Sequence, residues 1–256
     1  MKLLIGIPTG GQPTQPFLDA VPHLALPPGA LADRLIWSGN SVAVQREMIA
    51  RHAVASGADI LLMIDDDVVP PPDALIALVR ALENDARAAV AGALYYSRDG
   101  ARPMAVARWS STDTTEGAIP AFRNGEVTDV DGVGFGCVAL RVSALRAFST
   151  PYFAAHVFVN EATRSVRQAD EDYLYCERVR TAGWRVLLHA GVRAGHYDRA
   201  TNRLSPERWE DDVQTDRLRM IVRDADGRTR MIPYDAAHPR ADERQEPFPL
   251  TLLFGA

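Results

Sequence analysis

One stretch constrains this chain more than any other. Ile60-Leu61-Leu62-Met63-Ile64 runs straight into Asp65-Asp66-Asp67 and then Val68-Val69-Pro70-Pro71-Pro72-Asp73. Five consecutive apolar residues, bounded before by Ser56-Gly57-Ala58-Asp59, predict a short strand buried on both faces. Three adjacent carboxylates repel one another, so a strand that ends in them needs compensating charge. A bound cation is the most economical source of it. The prolines stop the strand and preset the next helix, with Asp73 in its first turn near the positive dipole end. Carboxylates at the C-terminal end of a buried strand sit where α/β sheets bind their ligands. The plainer alternative is a solvated acidic turn.

Before that strand, residues 3–7 predict a first strand opening onto Pro8-Thr9-Gly10-Gly11. Such a turn is a usual way to place backbone N–H groups near a nucleotide. Residues 12–29 are Pro-rich and without period, hence a loop, and residues 35–37 a second strand. Asn40-Ser41 can cap a helix over residues 42–55, with Val44, Met48 and Ala55 inward and Gln45, Arg46 and Arg51 elsewhere on its surface. Arg46 is then either a solvated helix residue or one that reaches a diphosphate. Residues 74–84 form a helix with Leu75, Leu78, Val79 and Leu82 on one face, and residues 88–94 another buried strand. The order β, helix, β, helix, β predicts a nucleotide-type half with parallel strands.

The middle reads differently. Residues 105–109 and 127–130 predict strands around a polar loop, and Trp109 is either packed or stacked on a sugar face. Gly132, Gly134 and Gly136 strip one face of the next strand, which weakens it unless something approaches the backbone closely. A ligand against Gly134, Phe135 and Gly136 is the reading preferred here over a neighbouring helix. Residues 142–148 predict a short helix and residues 151–167 a mobile loop. Asp170-Glu171-Asp172 opens a helix over residues 173–181, closed by Gly183, and residues 185–188 follow as a strand. Residues 205–218 suggest a polar helix, residues 220–222 and 229–232 a hairpin, and the last twenty or so a surface-wrapping tail.

Composition removes several function classes. The 256 residues hold 47% hydrophobic residues and carry a net charge of −5, with Arg spread among acids, which argues against a duplex-DNA footprint. Cys137 and Cys176 are far apart and indicate neither a disulfide framework nor a zinc site. No apolar run approaches the roughly 18 residues of a membrane span, and the first residues make too short an apolar run for a secretion signal. These features predict a soluble, cytoplasmic protein with reduced thiols.

Together, Pro8-Thr9, the Asp65–Asp67 strand end, the Gly-rich strand, Glu171-Asp172 with Arg178, Ala182-Gly183-Trp184 and the late His196 resemble a GT-A glycosyltransferase of the family 2 type. The resemblance spans roughly residues 3–197. It implies an α/β fold with a Rossmann-like nucleotide-binding half (residues 1–98) joined to an acceptor half (99–200) around one central mixed sheet. Residues 201–256 are then an extension. It also implies a nucleotide-sugar donor, UDP by resemblance only, and Mn²⁺ or Mg²⁺. Asp67 and His196 would be the metal ligands. Asp65 would contact ribose or base, and Asp66 could exchange with either acid, with Pro8 and Thr9 beside the nucleotide. Asp172 would be the base toward the acceptor and Glu171 its neighbour, with Gly134, Phe135, Gly136 and Trp109 lining the acceptor side. A Gln-x-x-Arg-Trp sequence is missing between the Asp triplet and the acid helix, so the chain does not resemble a processive polysaccharide synthase. The resemblance leaves the acceptor open among glycan, lipid, protein, metabolite and modified nucleic acid, and the oligomeric state open as well.

Other classes fit less well. A P-loop ATPase would need G-x-x-x-x-G-K-[ST], which does not occur. An aspartyl phosphatase would carry its acids on the first strand. A nucleotidyltransferase shares the nucleotide half but would carry a basic Gly-rich loop after the first strand, and residues 9–16 contain no Lys or Arg. A non-catalytic nucleotide-sugar-binding module is the remaining alternative.

Overall fold

The computed structural model describes residues 1–107, 109–111, 117–160, 165–209, 212–213, 219–223 and 229–233. A seven-stranded mixed sheet forms its centre, with helices α1 (Gln15–Ala20), α2 (Val42–Ala55), α3 (Ala74–Asn84), α4 (Val142–Arg146) and α5 (Glu171–Thr181) around it. In spatial order the strands are Leu31–Ser38, Lys2–Thr9, Ile60–Ile64, Cys137–Arg141, Ala88–Leu94, Arg185–Arg193 and Val127–Val130. Lys2–Thr9 pairs in parallel with both of its neighbours. Cys137–Arg141 lies antiparallel between Ile60–Ile64 and Ala88–Leu94. Arg185–Arg193 then runs parallel to Ala88–Leu94 and antiparallel to Val127–Val130.

The expected nucleotide-type half is therefore interrupted. Its strands share one direction, but a strand from the second half separates Ile60–Ile64 from Ala88–Leu94. Cys137, Val138, Ala139 and Leu140 suit that central place because all four are buried, as a strand covered on both faces requires.

Strand alternation divides the core in two. Leu3, Ile5, Leu62 and Ile64 point to one face and share its apolar layer with Leu75, Leu78, Val79 and Leu82 of helix α3 (Ala74–Asn84), which packs over Ala88–Leu94, Arg185–Arg193 and Cys137–Arg141. Leu4, Leu61 and Met63 point to the other, against Ile49, Ala50 and Ala53 of helix α2 (Val42–Ala55) and Tyr175, Cys176 and Val179 of helix α5 (Glu171–Thr181). Each fully buried leucine in these layers contributes about 1.5–3 kcal/mol. Both cysteines are buried and unbonded to each other.

Several local expectations are corrected. Helix α2 turns a different face inward: Val44 and Ala55 are exposed and Met48 half-buried, while Gln45, Arg46 and Glu47 are buried. Polar residues can go inside there because each finds partners. Gln45 donates to the carbonyls of Thr9 and Asn40, and Glu47 accepts the N–H groups of Tyr152 and Phe153. Residues 12–29 are not all loop, since Gln15–Ala20 forms a short helix with proline at its start, where the missing N–H costs nothing. The mobile loop expected at 151–167 contains an antiparallel pair, His156–Asn160 with Ser165–Ala169, whose Val-Phe-Val run favours a pleated surface. Of the polar helix expected at 205–218, the described residues 205–209 and 212–213 are not helical and include the end of strand Arg203–Ser205 and strand Asp212–Val213; the remainder lies outside the described residues. The C-terminal hairpin is present as Arg219–Arg223 with Thr229–Pro233, and its first strand also pairs with Ala118–Ile119. The tail after residue 233 lies outside the described residues.

Candidate active site

The acid turn sits at the C-terminal end of Ile60–Ile64, and three other segments bind its backbone. The Asp65 N–H donates to the Gly136 carbonyl at 2.9 Å, and the Tyr197 N–H to the Asp67 carbonyl at 2.8 Å. Thr14 donates to the Asp66 carbonyl through its N–H and its hydroxyl, at 2.9 and 3.0 Å. These bonds hold the backbone of three mutually repelling acids in place.

Each acid has a different partner. Asp65 receives two hydrogen bonds from the Arg46 guanidinium, at 2.9 and 2.8 Å. Asp66 accepts the Thr9 hydroxyl at 2.5 Å and an Arg199 Nη2 at 3.2 Å. Asp67 accepts Nε and Nη2 of Arg98 at 3.1 and 2.6 Å on Oδ2, while its Oδ1 lies 3.6 Å from Nε2 of His196. Burial alone would raise the Asp67 carboxyl, but the His196 imidazole beside it and the hydrogen bonds from Arg98 outweigh burial and lower the group to about 2.

His196 reaches this place because Gly195–Asp198 pairs antiparallel with Val68–Val69, setting His196 opposite Val68. Its Nδ1 lies 2.8 Å from the Tyr96 carbonyl oxygen, which can only accept, so Nδ1 carries a proton and donates. In the neutral ring Nε2 is then a free lone pair directed at Asp67. A carboxylate oxygen and an imidazole nitrogen 3.6 Å apart are wider than a hydrogen bond and within reach of one shared divalent ion. That donor pair fits Mn²⁺ or Mg²⁺ completed by other oxygens. Among the described residues, no cluster of three or more His, Cys, Asp or Glu forms a metal cage.

On the other side of the turn, Arg46 ties Asp65 to the start of helix α5. Its Nη1 donates to Glu171 and lies 4.0 Å from Asp172, and its side chain is 5% exposed. Asp172 accepts the Phe135 N–H at 3.3 Å and the Tyr173 N–H at 2.7 Å. Burial, with the neighbouring Glu171 charge, outweighs Arg46 and raises the Asp172 carboxyl to about 7. One buried guanidinium cannot neutralise the buried Glu171 and Asp172 and the half-buried Asp65 together, and both Asp65 and Asp172 hold their protons more tightly than usual.

The amino-acid sequence over residues 34–217 matches the profile of Glycosyltransferase like family 2. The chain belongs to that family. It is a glycosyltransferase, and its fold is GT-A. A197 from STIV is similar to it in structure at 19% identity and a TM-score of 0.54, over 84% of this chain and 98% of that one. GalNAc-T7, crystallised with UDP, GalNAc and Mn2+, is similar at 12% identity and a TM-score of 0.54. That match covers 77% of this chain and 44% of that one. No curated protein matches the sequence. No helix among the described residues is long and apolar enough to cross a membrane.

Within the glycosyltransferase domain, the residues singled out from sequence separate into two groups. Pro8, Thr9, Asp65, Asp66, Asp67 and His196 gather at one turn, with Glu171 and Asp172 joined to it through Arg46. Arg46 itself is 4% exposed with its terminal nitrogens committed to carboxylates, so it does not project toward a diphosphate.

Gly134, Phe135, Gly136 and Trp109 are all buried. The face stripped of side chains is filled by tyrosine, where a ligand was expected. A Cβ on Gly134 would lie 2.2 Å from the Tyr95 hydroxyl, one on Gly136 2.8 Å from Cζ of the same ring, and one on Gly132 2.7 Å from Cδ1 of Tyr173. Phe135 packs edge-to-face on Phe153 and Tyr175, and Trp109 lies tilted against Tyr173. Sequence reasoning missed Arg98, Arg199 and Tyr95. Nothing near Arg98 or Arg199 in the chain signals a carboxylate partner, because those partners lie 31 and 133 residues away.

Proposed function

We propose that this glycosyltransferase moves a sugar from a nucleotide-diphosphate donor, a UDP-sugar, to an acceptor hydroxyl with the help of Mn²⁺ or Mg²⁺. The observation that carries the reading is Asp172: a carboxylate held near neutrality and linked through one buried arginine to the acid turn that ends a buried strand. Such a group is ionised in part at pH 7 and still basic enough to accept a hydroxyl proton.

Asp67 and His196 would hold the ion, and the ion would neutralise charge on the departing diphosphate. Pro8, Thr9, Asp65 and Asp66 would frame the nucleotide. Asp172 would take the acceptor proton as the acceptor oxygen bonds to the anomeric carbon and the bond from that carbon to the diphosphate breaks. Glu171, paired with Arg46, would hold the helix start in place. Gly134 and Gly136 would serve the acceptor side indirectly, by admitting Tyr95 and so setting the backbone N–H of Phe135 against Asp172.

The test is a panel of nucleotide sugars with Mn²⁺, reading nucleoside diphosphate release and thermal shift. One donor should give metal-dependent release that a chelator abolishes and Asp172→Asn suppresses. If no nucleotide sugar is turned over or bound, the reading is wrong.

A further inference from the structure

The acid turn carries its own cations. Arg98 rests on Asp67 and Arg199 on Asp66, and in each pair the carboxylate is buried while the arginine is not. Side-chain exposures are 59% against 7% for the first pair and 46% against 11% for the second. The backbone beneath Arg98 is pinned, since the Ser205 hydroxyl donates to the Arg98 carbonyl at 2.7 Å and the Gly100 N–H to the Ser97 carbonyl at 2.7 Å. A fixed backbone with a half-exposed guanidinium is an arm that can change partners once another cation takes its place on the buried carboxylate, which cannot be left uncompensated.

The loop after the first strand gives those arms a destination. Residues 9–16 contain no Lys or Arg, so a diphosphate lying there must find cations from elsewhere in the chain. Arg199 already donates to the carbonyl of Gln12 in that loop. Guanidinium groups match phosphate oxygens in a planar fork better than they match a single carboxylate oxygen. Arg98 is held by one oxygen of Asp67, the acid assigned above to the ion.

We propose that Arg98 and Arg199 keep the acid turn closed to a free divalent ion and open it to a diphosphate. Arg98 turns from Asp67 and Arg199 from Asp66 to the phosphate oxygens as the ion takes the place of Arg98 on Asp67, so ion and nucleotide bind as a unit. This rests on the nucleotide-diphosphate reading above and adds to it an order of binding and two phosphate-contacting residues.

The experiment measures Mn²⁺ alone by the loss of its free-ion paramagnetic signal, and UDP with and without Mn²⁺ by calorimetry. Wild type is compared with Arg98→Ala, Arg98→Gln and Arg199→Ala. Wild type should bind Mn²⁺ weakly alone and more tightly with UDP. Either Arg98 variant should bind Mn²⁺ alone at least about 5-fold more tightly, and UDP with Mn²⁺ at least about 5-fold more weakly. Arg199→Ala should weaken UDP in both conditions. Mn²⁺ affinity unchanged or reduced in the Arg98 variants, or UDP affinity unchanged, overturns the proposal while leaving the glycosyltransferase reading standing. A wild-type chain that binds none of UDP, GDP, ADP and CDP with Mn²⁺ overturns the donor reading itself.

Discussion

Arg46 and Asp65 are joined by two hydrogen bonds, 2.9 and 2.8 Å long, between a buried helix residue and the first acid of a strand end. The same guanidinium holds Glu171, 125 residues further on. Burial costs each of these ions its hydration, and the pairing offsets that cost without turning it into net stability. Asp65 shows the balance: burial outweighs Arg46, and its carboxyl is raised above the usual range.

Removing Arg46 should therefore do more harm than its ion pairs are worth. Arg46→Met leaves the buried Glu171 and the half-buried Asp65 without a counter-charge, and urea unfolding should show a loss of about 3–5 kcal/mol. The double variant Arg46→Met with Glu171→Gln should recover part of it. Equal loss in both would mean that packing of the arginine stem, not charge, is what the site needs.

Asp172 should make both turnover and stability depend on pH. Its carboxyl moves from an ordinary 3.8 to about 7 on folding, so between these values the folded chain binds more protons than the unfolded one. Stability then falls as pH rises through that window and levels off above it. Asp172→Asn should flatten this slope and gain on wild type as pH increases. Turnover should run the other way, rising with pH to a plateau above about 7, and Asp172→Asn should cut it by about 10²–10⁴-fold. Loss of donor affinity with normal turnover at saturation would instead assign Asp172 to the nucleotide.

His196→Ala should weaken Mn²⁺-supported UDP binding in part and leave the fold intact, because Asp67 and the diphosphate oxygens remain as ligands. Asp67→Ala should abolish the Mn²⁺ contribution altogether. Calorimetry across a Mn²⁺ series separates the two. An identical metal dependence in His196→Ala and wild type would make the histidine structural.

The glycine-stripped strand gives a prediction about packing alone. Gly134→Ala should cost about 1–3 kcal/mol, because its new methyl group meets the Tyr95 hydroxyl first. Tyr95→Phe removes that oxygen and should relieve part of the cost. It should not relieve Gly136→Ala, whose Cβ meets the ring carbon and Val68 at 2.8 Å each. Tyr95→Phe also removes the acceptor of the Gly136 N–H, so the comparison needs the full double-mutant cycle. Equal rescue at both glycines would show that the strand shifts as a whole.

The sequence by itself determined the elements whose signal is local. Five apolar residues before three acids can only be a buried strand with a charged end, and helix α3 carries its periodicity in its own residues. The acids at the strand end, the acidic start of helix α5 and the late histidine were legible for the same reason: each is a short run of residue types with a chemical consequence. The tertiary structure alone decided which long-range partners those groups meet. Helix α2 has too weak an apolar stripe to announce its face, so burying Arg46 was settled by carboxylates arriving from the strand end and from helix α5. The glycines announced a close approach without naming the visitor, and only packing shows it to be Tyr95 at Gly134 and Gly136 and Tyr173 at Gly132. Cys137–Arg141 entered the centre of the sheet because strand order depends on pairing across the chain, which no local pattern encodes.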